Sequence, residues 1–279
     1  MIKNNIIIVK KHKILFVNPH PDDGEAFCAN FCIQSVRFGW DVHQILATCD
    51  EYGTPRAEFK GKRIQQIRRS EMIKAANAYG KDLNGNSLVK LHWMNYIDGY
   101  VPHNKKAIRR LQKFILKLNP DVIVGPDPFI YMDGHVDHMA LGKNYYYALK
   151  WMKQDRRPKK MLFFQSLIPD YFIPINSGDK KEIKNIRKAH KSQWNSFEIN
   201  LLNFFPSFLQ LPSRLKKGIL KKGEGYRIIS FNKEDHLPKG IAKIVFKFFK
   251  DKPIGCEEGR LLPKPEYFGL NREPEGEIL

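Results

Sequence analysis

Apolar and polar positions alternate in two rhythms through the first half of the chain. Lys13–Asn18 (KILFVN) is a short apolar run closed by Pro19, the pattern of a buried strand. Gly24–Phe38 then spaces Phe27, Phe31 and Val36 as on one face of a helix. Asp41–Thr48 (DVHQILAT), entered through Gly39, is a second strand. Lys60–Tyr79 places Ile64, Ile67, Met72, Ile73 and Ala76 on one helical face and stops at Gly80. Leu88–Trp93, Lys105–Leu118 and Asp121–Val124 continue the rhythm as strand, amphipathic helix and strand. Such alternation predicts βαβ crossovers. The expected fold class is α/β and Rossmann-like, a mostly parallel sheet with helices on both faces. Functional residues in such sheets sit in loops beyond the carboxyl ends of the strands.

The pattern changes after about residue 150. Lys150–Lys160 is basic, Ile168–Gly178 is rich in Pro and Asn, and Lys180–Phe197 reads as helical. The stretch 201–222 (LLNFFPSFLQLPSRLKKGILKK) is an apolar cluster with a basic end, and Pro206 and Pro212 prevent one continuous helix. It reads as a flap over the site, an oligomer contact, or an element lying on an anionic membrane surface. The expected organisation is one domain over 1–279, with a core at 10–150 and a smaller C-terminal lid or substrate region at 151–279.

Composition narrows the class. Among 279 residues, 48 Lys+Arg against 29 Asp+Glu give a net charge of +19, and 42% hydrophobic residues suffice for a sizeable core. A wholly disordered basic tail is thereby excluded. Cys28, Cys32, Cys49 and Cys256 contain no C-x-x-C pair, which disfavours a disulfide scaffold or cysteine zinc ribbon. The apolar run Ile6–Val9 is followed at once by Lys10, Lys11 and Lys13 and lacks the marks of a secretory leader. The composition leads one to expect a soluble, cytoplasmic protein, with the inner membrane surface as a second location, whose partner is anionic.

The chemistry concentrates in two motifs. Pro19-His20-Pro21-Asp22-Asp23 follows the first strand directly. Two carboxylates beside an imidazole are costly to assemble unless a cation lies between them. His20 and Asp23 can turn to one point, leaving Asp22 as a free carboxylate suited to take a proton from an activated water. The competing reading is a turn whose Asp side chains cap the next helix. Gly134-His135-Val136-Asp137-His138 offers two more imidazoles and a carboxylate. His20, Asp23 and His138 together make a three-ligand set of the kind a catalytic zinc needs. His135 is then a general acid or oxyanion stabiliser, with Asp137 orienting its ring and favouring the charged form.

These motifs resemble the PIG-L/LmbE-like zinc-dependent N-deacetylases. Weaker landmarks are similar too: Arg68-x-x-Glu71 with Ala75 and Gly80, Asp98-Gly99, Asn119-Pro120-Asp121-Val122-Ile123, Ala189-His190-Lys191-Ser192-Gln193 and Glu266-Tyr267-Phe268. Two departures stand out. Gly24 precedes Glu25, where many members place the acid one position earlier, and Asp133 stands where some members have an aromatic residue.

The resemblance implies one Zn2+ held by His20, Asp23 and His138, with other divalent metals able to occupy the same ligands. It implies Asp22 as general base and His135, supported by Asp137, at the tetrahedral intermediate or leaving amine. Arg68 and Asp98 correspond to sugar contacts, unless Arg68 lies on a solvated basic helix face and Asp98-Gly99 is only a turn. His190 reads as structural or as part of a flap. The expected activity is removal of an N-acetyl group from an N-acetylglucosamine-containing substrate, phosphate- or lipid-linked or not, with release of acetate. The alternatives are an amide hydrolase acting on a thiol–sugar conjugate and a basic protein that binds nucleic acid or a membrane surface without catalysis. No zinc finger or aromatic–basic stacking pattern supports the nucleic-acid reading. Self-association is left open.

Overall fold

The computed structural model describes residues 11–131, 134–195, 197–199, 210–218, 221–238, 243–244 and 247. Five parallel strands form its centre: β1 (Lys13–Asn18), β2 (Asp41–Thr48), β3 (Val89–Tyr96), β4 (Val122–Pro126) and β5 (Lys160–Phe164). β6 (Tyr171–Pro174) and β7 (Gly223–Ile228) complete a seven-stranded sheet of order β3-β2-β1-β4-β5-β7-β6. β7 runs antiparallel to both of its neighbours. The mostly parallel α/β sheet read from the sequence is the fold observed.

β1 shows why the central strands read as unbroken apolar runs. Ile14 and Phe16 enter the core on one face of the sheet, and Leu15 and Val17 the core on the other. A strand buried on both faces has no polar side to alternate with. One core is closed by α4 (Lys105–Leu118) and α5 (Val136–Lys150). The other is closed by α1 (Asp23–Phe27), α2 (Ala29–Arg37), α3 (Lys62–Ala78) and α6 (Ser177–Arg187). Helix boundaries follow local chemistry. The Asn104 side chain accepts from the Ala107 N–H at the start of α4, and Asn119 closes that helix in the left-handed conformation.

The sequence differs from the structure in three places. The single helix expected over Gly24–Phe38 is broken at Cys28 into α1 and α2. The cause is remote in sequence: Glu224 on β7 accepts the N–H groups of Asn30 and Phe31 at 2.6 and 2.9 Å, capping a new helix start. The sheet also continues past residue 150 through β5, β7 and β6, so a boundary drawn there falls within it. Lys180–Phe197 is helical as far as Arg187, then turns, and is helical again from Phe197. Within 201–222, residues 201–209 and 219–220 lie outside the described residues, while Leu211–Lys216 is a short helix. Asp133 and Glu266–Phe268 also lie outside them. Among the described residues, no helix is long and apolar enough to cross a membrane.

Candidate active site

In the order β3-β2-β1-β4-β5 the chain winds outward from β1 to β3 and then returns to place β4 on the other side of β1. The crevice at this reversal lies beyond the carboxyl ends of β1 and β4, the usual ligand site of such sheets. All five parallel strands deliver polar residues there. β1 leads into His20, Asp22 and Asp23, β2 into Asp50 and Glu51, and β3 into Asp98. The loop after β4 ends in His135, which caps α5, with Asp137 and His138 in that helix's first turn. β5 runs directly into Gln165.

Three donor atoms form a compact triangle. His20 Nδ1 lies 3.2 Å from His138 Nε2, and each lies 3.3 Å from Asp23 Oδ2. A tetrahedral ion with bonds of about 2.0–2.1 Å spaces its donors about 3.3–3.4 Å apart, so His20, Asp23 and His138 suit one face of a zinc site. The remaining ring nitrogens are also held. His138 Nδ1 is 2.9 Å from Gln165 Oε1, an acceptor that leaves the Nε2 lone pair facing the triangle. His20 Nε2 faces Asp98 Oδ1 at 3.2 Å and Asp137 Oδ2 at 3.3 Å. Asp23 Oδ2 itself is fixed by the His20 backbone N–H at 2.8 Å. His135 adds a third imidazole whose ring nitrogen lies within 4.8 Å of those of His20 and His138.

Beside the triangle stands an ion-paired group with no counterpart in the sequence reading. Arg68 reaches Asp22 Oδ2 at 2.9 Å and Asp50 Oδ2 at 2.7 Å, and its third nitrogen lies 3.8 Å from Glu71. Its side chain is fully buried, so the solvated basic face considered for it does not exist. Two of its nitrogens thus face carboxylates, and the whole side chain is shut from solvent. Asp98 is also buried, its carboxylate engaged by His20 and by the Tyr52 N–H.

Burial dominates the electrostatics. It pushes Asp50 up to about 7, helped by the charges of Asp98 and Asp22 and opposed by Arg68. It likewise pushes Glu51 up to about 7. For His20 burial acts downward, but Asp137, Asp23 and Asp98 outweigh it and hold the imidazole above its ordinary value. His135 moves the other way, to about 3, through burial and the neighbouring His20 and His138. That corrects the expectation of a charged His135. The contact seen between His135 and Asp137 is also different in kind: the Asp137 backbone N–H donates to His135 Nδ1 at 3.3 Å. The Asp137 carboxylate instead accepts from the Gly99 and Val101 N–H groups.

Asp50, Glu51 and Gln165 escaped the sequence reading. All three lie within three residues of the end of a parallel strand, so the strand-end rule could have singled them out. Glu25 and His190 are buried against one another, Nε2 to Oε2 at 3.3 Å, away from the donor triangle. The displaced acid thus has a structural partner, and Gly24 before it sits where a Cβ would come within 2.9 Å of the Asn18 and Gln44 side chains.

Comparison with known proteins agrees with the motifs. Residues 15–149 match the family model of PIG-L, described as GlcNAc-PI de-N-acetylase. A diacetylchitobiose deacetylase of Thermococcus kodakarensis is 24% identical over 195 residues, covering 65% of this chain and 70% of that protein. The structure of the N,N'-diacetylchitobiose deacetylase from Pyrococcus horikoshii, bound to its inhibitor MPG, superposes with a TM-score of 0.64 at 23% identity. The match covers 79% of this chain and 84% of that one. A 4-carboxy-2-hydroxymuconate hydratase from Pseudomonas putida has the same fold, with a TM-score of 0.60 at 14% identity over 79% of this chain and 97% of that one. Fold alone therefore leaves the reaction open, and the motif residues must decide it. Those residues lie within 15–149, the stretch that matches the PIG-L family model.

Proposed function

We propose that this protein is a metal-dependent hydrolase that removes the acetyl group from an N-acetylglucosamine-type substrate and releases acetate. The donor triangle of His20, Asp23 and His138, with a carboxylate held beside it by a buried arginine, carries the reading. A zinc ion bound there would supply Lewis acidity toward the acetamide oxygen and make a water easier to deprotonate. Asp22 takes that proton. Arg68 fixes the carboxylate in place, so the base does not have to be ordered at the moment of reaction. His135, neutral in its surroundings, is suited to donate a hydrogen bond to the developing oxyanion, while the proton held by Asp22 passes to the leaving nitrogen. An amide nitrogen is a poor leaving group, so the carboxylic acid formed in the first half of the reaction completes the second. The relatives named as diacetylchitobiose deacetylases make a short N-acetylglucosamine oligosaccharide the first substrate to test.

The test is acetate release from free N-acetylglucosamine, N,N'-diacetylchitobiose and phosphate-linked N-acetylglucosamine, with metal content measured on the same preparation. Acetate from at least one, at about one metal per chain, supports the proposal. A zinc-loaded protein that releases acetate from none would overturn it. Asp22→Ala is expected to keep fold and zinc while kcat falls by about 10²–10⁴. Near-normal turnover by that variant would remove Asp22 as the base.

A further inference from the structure

The family resemblance casts Asp98 as a sugar contact, but its surroundings give it another task. His20 is the donor of the triangle whose ring has carboxylates facing both of its nitrogens. Its Nδ1 faces Asp23 and His138, and its Nε2 faces Asp98 Oδ1 at 3.2 Å and Asp137 Oδ2 at 3.3 Å. An imidazole that offers Nδ1 to a cation must keep its proton on Nε2, and a carboxylate there both selects that tautomer and makes the ring a stronger donor. Asp137 is pinned by two backbone N–H groups, from Gly99 at 2.6 Å and Val101 at 3.1 Å, which partly satisfy its charge. Asp98 receives one, from Tyr52 at 3.1 Å on Oδ2, and turns Oδ1 to the imidazole. Its own backbone N–H is tied to Glu51 Oε2 at 2.9 Å, and Glu51 is tied in turn to Gln65. The side chain is only 8% exposed. Both carboxylate oxygens are thus engaged inside the protein.

We propose that Asp98 is a positioning residue that acts through His20: it accepts a hydrogen bond from the Nε2–H and thereby sets the tautomer and orientation in which His20 serves as a metal donor. This role rests on the reading of His20, Asp23 and His138 as a metal site. It does not require that the substrate be an acetylated sugar.

The experiment compares wild type with Asp98→Asn, which keeps an acceptor oxygen, and Asp98→Ala, which keeps none. Zinc affinity is read by chelator competition on the folded proteins, and KM and kcat are read at saturating zinc with N,N'-diacetylchitobiose as probe. Zinc affinity is expected to fall about 10–100-fold in Asp98→Ala and less in Asp98→Asn, with KM at saturating zinc unchanged. Unchanged zinc affinity overturns the proposal, and a raised KM alongside it restores the sugar contact. The zinc measurement stands apart from catalysis. Loss of affinity in Asp98→Ala with no turnover of any substrate by wild type keeps the positioning role and overturns the deacetylase reading. A wild type that takes up no zinc overturns both.

Discussion

At the scale of single residues, Arg68 shows how one side chain's surroundings decide its role. In the sequence it stands among Arg63 and Arg69, three similar cations on one helix. In the fold Arg69 lies over the Trp93 ring and Arg63 over Phe59, while Arg68 alone turns inward to Asp22 and Asp50. The local Arg68-x-x-Glu71 pattern marks it but does not show its partners, because Asp22 and Asp50 come from two strand ends elsewhere in the chain. The motifs were more legible: His20, Asp23 and His138 converge as their spacing suggested, since each sits within a few residues of a strand end or helix start. Replacing Arg68 by Met leaves two buried carboxylates without their cation. Breaking a buried pair in this way costs about 3–5 kcal/mol, so urea unfolding of Arg68→Met should show a lower midpoint at unchanged m. Arg68→Lys keeps the charge but not the fork that spans both acids. It should lose less stability while kcat still drops about tenfold or more. A Lys variant with full activity would show that the base needs only a nearby charge.

Among the elements, the last residue of α6 and the segment after it act as a strap across the back of the site. Arg187 donates to the Glu25 and Ala26 carbonyls at the end of α1, and His190 lies against the Glu25 carboxylate. Ser192 donates to Glu71 on α3, and Gln193 bonds to the Gly53 carbonyl in the loop after β2. The strap therefore joins the helix that carries Asp23, the helix that carries Arg68 and the loop beside Asp50. The sequence displayed α3 and α4 because an amphipathic helix writes its buried face locally. It did not display the break between α1 and α2, or the places of β6 and β7, because those depend on Glu224 and on antiparallel pairings distant in the chain. His190→Leu keeps much of the volume but leaves Glu25 buried without its imidazole. Its predicted loss is about 1–3 kcal/mol by urea unfolding, with zinc affinity changed less than in Asp98→Ala. His190→Gln, which retains a donor, should recover part of that loss. Equal stability of the Leu variant and wild type would make the strap a spectator.

For the whole molecule, buried ionisable groups of opposite kinds pull stability in opposite directions over one range of pH. At the amino end of β2 and β3, away from the candidate site, His43 Nδ1 and His92 Nε2 lie 2.8 Å apart with their rings stacked. Asp41 at 3.1 Å from His43 faces this pair, as do Lys90 on β3, Lys117 on α4 and Lys13 on β1. Burial, then His43, Lys90 and Lys117, pushes His92 down to about 4. Between about pH 4 and the ordinary histidine value near 6.5, the unfolded chain binds a proton that the folded protein refuses, so this pair's contribution falls as pH drops. Asp41, which Lys90 and His43 hold down to about 2 against burial, stays charged throughout that range. Glu224 has the opposite sign. Burial pushes it up to about 7, so the folded protein holds a proton that the unfolded chain releases above the usual glutamate range. Its contribution therefore falls as pH rises from about 4.5 to 7. A wild-type stability profile alone mixes the two, and a flat curve could arise from their cancellation. Two variants separate them. Relative to His92→Leu, wild type should gain stability from pH 4 to 6.5. Relative to Glu224→Gln, it should lose stability from pH 4.5 to 7. Each slope should be on the order of 1 kcal/mol per pH unit, read from urea midpoints at constant ionic strength. Parallel curves for wild type and His92→Leu would mean that the histidine pair titrates alike in the folded and unfolded chain, and a same-signed slope for both variants would reverse the assignment of Glu224.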